Sequence, residues 1–140
     1  MSYNGMMEIP REVVRTFVSW IKVKISTHVL ERQVLFNEGE IWWVSIGQNV
    51  GVESNGKNKK FERPVLVLKK FSKNSFWGIS ISSVKKEGTY YHSLILSNVF
   101  YSFNLSQLRV LSSKRLLRRM TRVPQEEFIT IKHLVAKILI

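Results

Sequence analysis

The sequence predicts an α+β fold that is mainly β, a small barrel of short strands flanked by an N-terminal and a C-terminal helix. Apolar residues recur at helical spacing near both ends of the chain, whereas short apolar, β-branched runs between turn residues fill its middle. The chain has 140 residues and a hydrophobic fraction of 44%, which suffice for a globular domain with its own core. Several short strands joined by turns are typical of a small barrel.

The N-terminal helix is predicted over residues 10–33. Pro10 is suited to a first helical turn, and Glu12 would lie near the positive end of the helix dipole. Apolar side chains then recur at helical spacing, namely Val14, Phe17, Val18, Ile21, Ile25 and Val29. We therefore expect residues 1–37 to form a helical extension that packs on a domain of residues 38–140. This extension would either widen a dimer interface or cover part of a groove.

Five strands are predicted in the middle of the chain from apolar, β-branched and aromatic runs. These runs are residues 41–46, 65–71, 76–82, 90–96 and 105–111. A stretch rich in Gly, Asn and Lys, residues 51–60, predicts a loop between the first two strands. Residues 85–88 predict a turn.

Two structures fit residues 114–123. Four arginines, Arg115, Arg118, Arg119 and Arg122, would share one face of a helix, whereas residues 117–123 could form an edge strand. The pattern leaves both open.

The C-terminal helix is predicted to begin at Pro124. Glu126 and Glu127 would complement the positive end of its dipole. Its apolar face is formed by Phe128, Ile131, Leu134, Val135 and Ile138.

The charge of the chain points to a polyanionic partner. It contains 22 Lys and Arg against ten acids, a formal net charge of +12. Residues 1–40 contain five acids and five bases, so the excess lies in the last hundred residues. Such a field attracts nucleic acid, an anionic membrane or an acidic protein, although solubility alone is the simpler interpretation.

The acidic residues, histidines and cysteines exclude several classes of site. Every acid is Glu, and the ten are scattered along the sequence, which makes a metal-dependent nuclease improbable. The three histidines lack metal-ligand spacing, and there is no cysteine for a thiolate site or a disulfide. We expect no metal and no cofactor. No apolar run is long enough to span a membrane and no secretory signal is visible, so the expected location is the cytoplasm.

Five segments in order resemble the PemK/MazF toxins of type II toxin–antitoxin systems. The segments are residues 39–44, 51–53, 62–68, 81–83 and 106–116, with a closing helix after them. The specific part is the combination of Arg63-Pro64-Val65 after a Gly/Glu loop with the later Gln107-Leu108-Arg109. The resemblance covers residues 38–140.

The resemblance implies an SH3-like β-barrel that is usually a homodimer. It also implies a metal-independent endoribonuclease that cuts single-stranded RNA at short sequences, where the ribose 2′-hydroxyl attacks the adjacent phosphate to give a 2′,3′-cyclic phosphate. Such toxins are neutralised by an antitoxin whose acidic, flexible tail lies across the RNA groove. The family's catalytic Arg falls on Arg63, its Thr/Ser on Ser82, and a Glu of its loop on Glu53.

The chemistry of these side chains fits the implied reaction. A guanidinium at Arg63 offers forked donors to the charge that develops on the phosphate, and the Ser82 hydroxyl can hold a phosphate oxygen. The general base stays open between Glu53 and His92. The simpler interpretations are an ion pair between Arg63 and Glu62, a strand hydroxyl at Ser82, and a half-buried strand residue at His92.

Basic and aromatic side chains provide candidate RNA contacts. These are Lys57, Lys59, Lys60, Lys85, Lys86 and Tyr90. One of Trp42 and Trp43 should fill the core, and the other would stack a base or lie in a dimer interface. The lysines could instead keep loops in water, and a tyrosine could pack in the core. A second hypothesis is therefore a non-catalytic module on the same barrel that binds nucleic acid or an acidic peptide.

Overall fold

The structure is a computed structural model that describes residues 8–140, so residues 1–7 of the expected extension lie outside the described residues. Within the described range the chain forms two helices, six strands and one short 3-10 helix. In order they are α1 (Arg11–Val29), β1 (Glu40–Ser45), β2 (Glu62–Ser72), β3 (Ser75–Ser82), β4 (Tyr91–Leu96), β5 (Val99–Ser112), the 3-10 helix Ser113–Arg115, β6 (Leu116–Arg122) and α2 (Gln125–Ile138).

The six strands form one antiparallel sheet in the order β4-β5-β3-β2-β1-β6. The predicted α+β, mainly β class with a helix at each end is confirmed. The sheet differs from the expected barrel because its edge strands, β4 and β6, do not pair. Residues of both edges, such as Leu96 and Thr121, line one cavity together with Trp43 and Tyr101. Side chains therefore separate the edges where a closed barrel would have ladder hydrogen bonds.

The sheet buries two apolar clusters. In the first, Phe128 and Ile131 of α2 pack with Ile79 and Phe103 of the sheet. In the second, Phe36 of the segment after α1 packs with Phe76 and residues of β1, and the two rings lie 5.2 Å apart. Each such side chain contributes about 1.5–3 kcal/mol by leaving water, so these clusters fix the strands that carry the site.

Two differences from the sequence prediction have identifiable causes. β5 begins at Val99, six residues before the predicted strand, because Ser97 and Asn98 adopt positive φ angles of 48° and 64° and form a tight hairpin turn from β4. Residues 116–122 form an edge strand, not a helix, since β6 pairs with β1. The ambiguity in the arginine-rich segment is thereby resolved by a tertiary contact.

The helix α1 packs through one buried side chain on the segment that connects β1 and β2. Trp20 is 5% exposed, and its ring packs on Phe61 with the centroids 5.5 Å apart. A Cβ added at Gly47 would lie 2.3 Å from the Trp20 ring, so that position must be glycine for the ring to fit. Lys114 Nζ donates to the carbonyl oxygen of His28 at 2.6 Å and fixes the other end. Of the apolar side chains that predicted the helix, Phe17 is half-buried, whereas Val14, Val18, Ile21, Ile25 and Val29 are exposed.

Candidate active site in the β2–β3 groove

The register of β2 and β3 brings Arg63 and Ser82 together. Val65 lies opposite Ser80 in this antiparallel pair, and continuing the register by two places on each strand brings Arg63 opposite Ser82. Opposite side chains on one face of a sheet are neighbours, with Cβ atoms about 4.5–5.5 Å apart. Arg63 Nη1 donates to the carbonyl oxygen of Ile81 at 3.3 Å, which agrees with this placement.

The guanidinium of Arg63 is held by backbone carbonyls. Its Nε donates to the carbonyl oxygen of Asn55 at 2.6 Å, in addition to the Ile81 contact. Glu62 accepts a forked pair of hydrogen bonds from Arg118 at 2.8 and 3.3 Å. Among residues 8–140 no carboxylate lies within ion-pair distance of Arg63. The Arg63–Glu62 ion pair considered above is therefore not formed, and the cation keeps donors for an external anion.

Burial lowers the pKa of Arg63 below its ordinary range. The cause is loss of hydration, which disfavours the charged form. The partial shielding also strengthens the electrostatic effect of the guanidinium on any anion beside it.

Ser82 is half-buried at the end of β3. Its Oγ accepts a hydrogen bond from the backbone N–H of Val84 at 3.1 Å, which leaves the hydroxyl hydrogen available for donation. Ser80 is buried and Ser83 is exposed, so Ser82 has the intermediate exposure of the three.

Arg63 and Ser82 line two adjacent cavities that together form what we call the β2–β3 groove. The cavities have volumes of about 440 and about 210 Å³. Both are also lined by Lys57, Ile81 and Val84. The larger volume is within the range of small-molecule sites, and the cations Arg63 and Lys57 both line it.

The predicted RNA contacts divide into two sets. Lys57 and Lys86 line the groove, whereas Lys59, Lys60, Lys85 and Tyr90 are exposed and do not line it. Lys85 Nζ lies 3.7 Å from Glu87 Oε1.

Tyr91 and Asn104 line the larger cavity from β4 and β5. The basic-then-aromatic order of the sequence fits either Tyr90 or Tyr91, whereas sequence reasoning missed Asn104. Tyr91 and Asn104 lie opposite each other in the β4–β5 ladder. Asn104 Oδ1 accepts a hydrogen bond from Ser106 Oγ at 2.9 Å. Asn104 is a polar residue between Phe103 and Leu105, and this alternation could have indicated that its side chain lies on the face opposite the core.

The two candidates for the general base lie in different places. Glu53 is exposed and lines the larger cavity, and its Oε1 accepts the backbone N–H of Val50 at 3.0 Å. His92 is not among the residues that line the groove; its Nε2 lies 3.2 Å from Glu127 Oε2 on α2. Since Tyr91 lines the groove, strand alternation directs His92 to the other face.

Gln107 ties the loop between β1 and β2 to β5. Its Oε1 accepts the backbone N–H of Ser54 at 2.9 Å, and its Nε2 donates to the carbonyl oxygen of Val52 at 3.0 Å. Within the loop, Asn55 Oδ1 accepts the backbone N–H of Asn49. We call the two Gln107 hydrogen bonds to this loop the loop clamp. The loop clamp positions the segment whose Asn55 carbonyl oxygen accepts a hydrogen bond from Arg63.

The tandem tryptophans point to different environments, as predicted. Trp42 is buried in the second cluster, and its Nε1 donates to Glu40 Oε1 at 3.0 Å. Trp43 is half-buried and lines the smaller cavity of the groove, with the Arg118 guanidinium 5.0 Å from its ring centroid. An indole beside a cationic groove is suited to stack a base.

No helix in the described part of the chain is long and apolar enough to cross a bilayer. Residues 8–140 contain no group of three or more His, Cys, Asp and Glu side chains arranged to hold a metal ion.

Comparisons with known proteins identify the family. A model described as the PemK-like, MazF-like toxin of type II toxin–antitoxin systems matches residues 37–139. No curated protein matches the chain.

Solved structures share the fold. MazF (Form-I) from Deinococcus radiodurans has a TM-score of 0.65 at 18% identity, covering 76% of this chain and 97% of that chain. MazE–MazF (Form-II) from the same organism has a TM-score of 0.59 at 15% identity, covering 76% and 96%. An endoribonuclease in complex with its cognate antitoxin from a mycobacterial species has a TM-score of 0.59 at 11% identity, covering 75% and 95%. Because the family model spans most of the sequence, the chain belongs to the PemK-like, MazF-like toxins of type II toxin–antitoxin systems.

Proposed function

We propose that this toxin is a metal-independent, sequence-specific endoribonuclease that cleaves single-stranded RNA in the cytoplasm. The observation that carries the proposal is the convergence of Arg63, which has no carboxylate partner among the described residues, and the Ser82 hydroxyl in one cationic groove. The division of the chain into an extension, residues 1–37, and a toxin domain, residues 38–140, belongs to the same proposal.

The proposed reaction uses only RNA, water and the side chains named here. The ribose 2′-oxygen attacks the adjacent phosphorus as its proton leaves, and the bond from phosphorus to the 5′-oxygen breaks. The products are a 2′,3′-cyclic phosphate and a 5′-hydroxyl, whose proton comes from water in the open groove or from Arg63. Negative charge grows on the non-bridging oxygens in the transition state, where Arg63 and the Ser82 hydroxyl donate hydrogen bonds.

Glu53 is our candidate for the base that takes the proton of the 2′-hydroxyl. It lines the larger cavity, and a carboxylate can accept a proton as a general base. His92 remains the weaker candidate, because it would have to leave Glu127 and reach the groove from the other face of β4.

The groove also provides contacts for the rest of an RNA strand. Lys57 and Lys86 would neutralise flanking phosphates, and Trp43 and Tyr91 would stack bases. Further basic and aromatic residues in the same loops would add outer contacts, and these are Lys59, Lys60, Lys85 and Tyr90.

An acidic antitoxin and a second copy of this chain are the proposed protein partners. A net charge of +12 favours association with an acidic segment, which should weaken as salt rises. The antitoxin complexes among the similar structures support this choice.

The test is cleavage of a defined long RNA in EDTA, followed by mapping of the new 5′ ends. We expect 5′-hydroxyl ends at a short shared sequence. The rate should fall by about 10²–10³ in Arg63→Ala, which loses a preorganised donor to the transition state. Arg11→Ala, an exposed arginine of α1, is the matched control and should cleave normally.

A non-catalytic binding module is the second candidate function, because the same groove would bind RNA without cutting it. Intact RNA that nevertheless binds the wild-type protein, across a range of salt and pH, would overturn the nuclease and favour this module. If new 5′ ends form without a chelator but not in EDTA, the cleavage depends on a metal ion, and the metal-independent reaction would be overturned.

A further inference from the structure

The helix α1 exposes the apolar stripe that defines it. Val14, Val18, Ile21 and Ile25 are 46 to 59% exposed, and Val29 is 66% exposed. The family model starts at residue 37, so it assigns nothing to this helix. Exposed apolar side chains in a contiguous row mark interaction sites.

The stripe is held in a fixed orientation. Trp20 is buried against Phe61 and Gly47, and successive residues of a helix rotate by about 100°. The stripe is therefore centred about 140° from the Trp20 side chain. Rotation that would turn the stripe toward the sheet would remove Trp20 from its site, so the apolar face stays accessible from solvent.

The spacing of the stripe is that of a helix–helix seam. Val14, Val18, Ile21 and Ile25 are separated by four, three and four residues, the a/d pattern of a heptad. β-branched side chains at such positions pack well against a second helix. The stripe has no tryptophan or exposed phenylalanine of the kind that anchors interfacial membrane helices.

The borders of the stripe are basic. At the helical rotation given above, Arg15 and Lys22 lie along one border and Lys24 along the other. Glu12, the acid of α1, lies on the far side of the helix. Two copies of α1 packed through this stripe would bring like charges together, whereas a helix with acidic borders would form ion pairs at all three positions.

From this geometry we propose that α1 is a docking site for an amphipathic helix of another protein, one that carries acidic residues beside its apolar seam. The contact is separate from the β2–β3 groove, since no residue of α1 lines either cavity. It therefore does not depend on the proposed RNA cleavage.

The experiment uses the full chain and two fluorescent peptides of four heptads with the same Ile/Leu seam. One peptide has Glu at the border positions and the other has Lys. Fluorescence anisotropy should show binding of the Glu peptide, weakening as salt rises, and no binding of the Lys peptide. The double variant Val18→Gln, Ile25→Gln should bind the Glu peptide at least about tenfold more weakly, because it removes two seam side chains.

The matched control is Ser19→Gln with Ser26→Gln, which changes two exposed residues on the other side of α1 and should bind normally. Circular dichroism of both double variants checks that the helix remains. Absence of Glu-peptide binding, or equal binding by the seam variant, would overturn the proposal.

Two further results would overturn it in favour of another occupant. One is a wild-type oligomer that the seam variant dissociates in sedimentation, with no peptide bound, which indicates a second copy of this chain. The other is seam-dependent binding to vesicles containing phosphatidylserine, again with no peptide bound, which indicates a membrane surface.

Discussion

Glu40 should stabilise the fold mainly through two hydrogen bonds, and two substitutions can separate these from its ion pairs. The side chain is 3% exposed. Its Oε1 accepts the backbone N–H of Asn37 at 2.8 Å and Trp42 Nε1 at 3.0 Å. Its Oε2 lies 3.1 Å from Arg119 Nη1 and 3.7 Å from Arg122 Nη2. Glu40→Gln keeps an oxygen that can accept the hydrogen bonds from Asn37 and Trp42 but removes the negative charge. Glu40→Ala removes the hydrogen-bond acceptor as well as the charge.

The magnitudes follow from burial. Hydrogen bonds to a charged acceptor contribute about 1.5–3 kcal/mol each, so the loss of two in Glu40→Ala should lower the free energy of unfolding by about 3–6 kcal/mol. The two arginines are 56% and 52% exposed, so solvent screening limits their ion pairs and Glu40→Gln should cost about 1 kcal/mol. Urea unfolding at neutral pH measures both. Equal losses in the two variants would refute the assignment to hydrogen bonds.

The same carboxylate predicts a pH dependence. Burial raises the pKa of Glu40, but the hydrogen bonds from Trp42 and Asn37 and the charges of Arg119 and Arg122 outweigh it, and the pKa is lowered below its ordinary 4.5. The stabilisation is therefore present above pH 4.5 and is lost as the pH falls through the lowered value. The difference in unfolding free energy between wild type and Glu40→Gln should shrink in that acidic range; a constant difference down to the lowest pH would contradict the sign.

Three other predictions concern α1 and the loop clamp. Trp20→Ala should destabilise the docking of α1 by about 3 kcal/mol and speed tryptic cleavage within α1, and unchanged cleavage would contradict this. Gly47→Ala should give the same proteolytic pattern, since its Cβ would lie 2.3 Å from the Trp20 ring. In the Trp20→Ala background this clash is removed, and only the backbone strain of alanine at a φ of 96° should remain. Gln107→Leu should accelerate hydrogen exchange at the Ser54 N–H and slow RNA cleavage about tenfold at a cost of about 1–2 kcal/mol in stability; normal exchange would argue against the clamp.

Local patterns predicted the helices and most strands because periodicity and turn residues act over a few positions. The helix after Pro124 begins at Gln125 and buries Phe128, Ile131 and Val135, as its apolar face predicts. The early start of β5 was missed because it depends on positive φ at Ser97 and Asn98, which their residue types permit but do not require.

The candidate site was only partly predictable, because strand register decides which face a side chain takes. A shift of one residue moves a side chain to the other face of a strand. The sequence alone therefore favoured Tyr90 as an RNA contact, whereas Tyr91 lines the groove. The carbonyls of Asn55 and Ile81 that hold Arg63 carry no residue signature at all, since any residue provides them.

The attachment of α1 through Trp20 and Gly47 has an evolutionary consequence. The attachment needs one indole over a position without a side chain, Phe36 in the second apolar cluster and the Lys114 contact with His28, while residues 37–139 match the family model. An appendage fastened in this manner can be gained, lost or exchanged between lineages with few changes to the parent domain. Grafting residues 8–36 onto a shorter homologue, with glycine at the receiving position, is thus a practical route to a chimera with altered partnership.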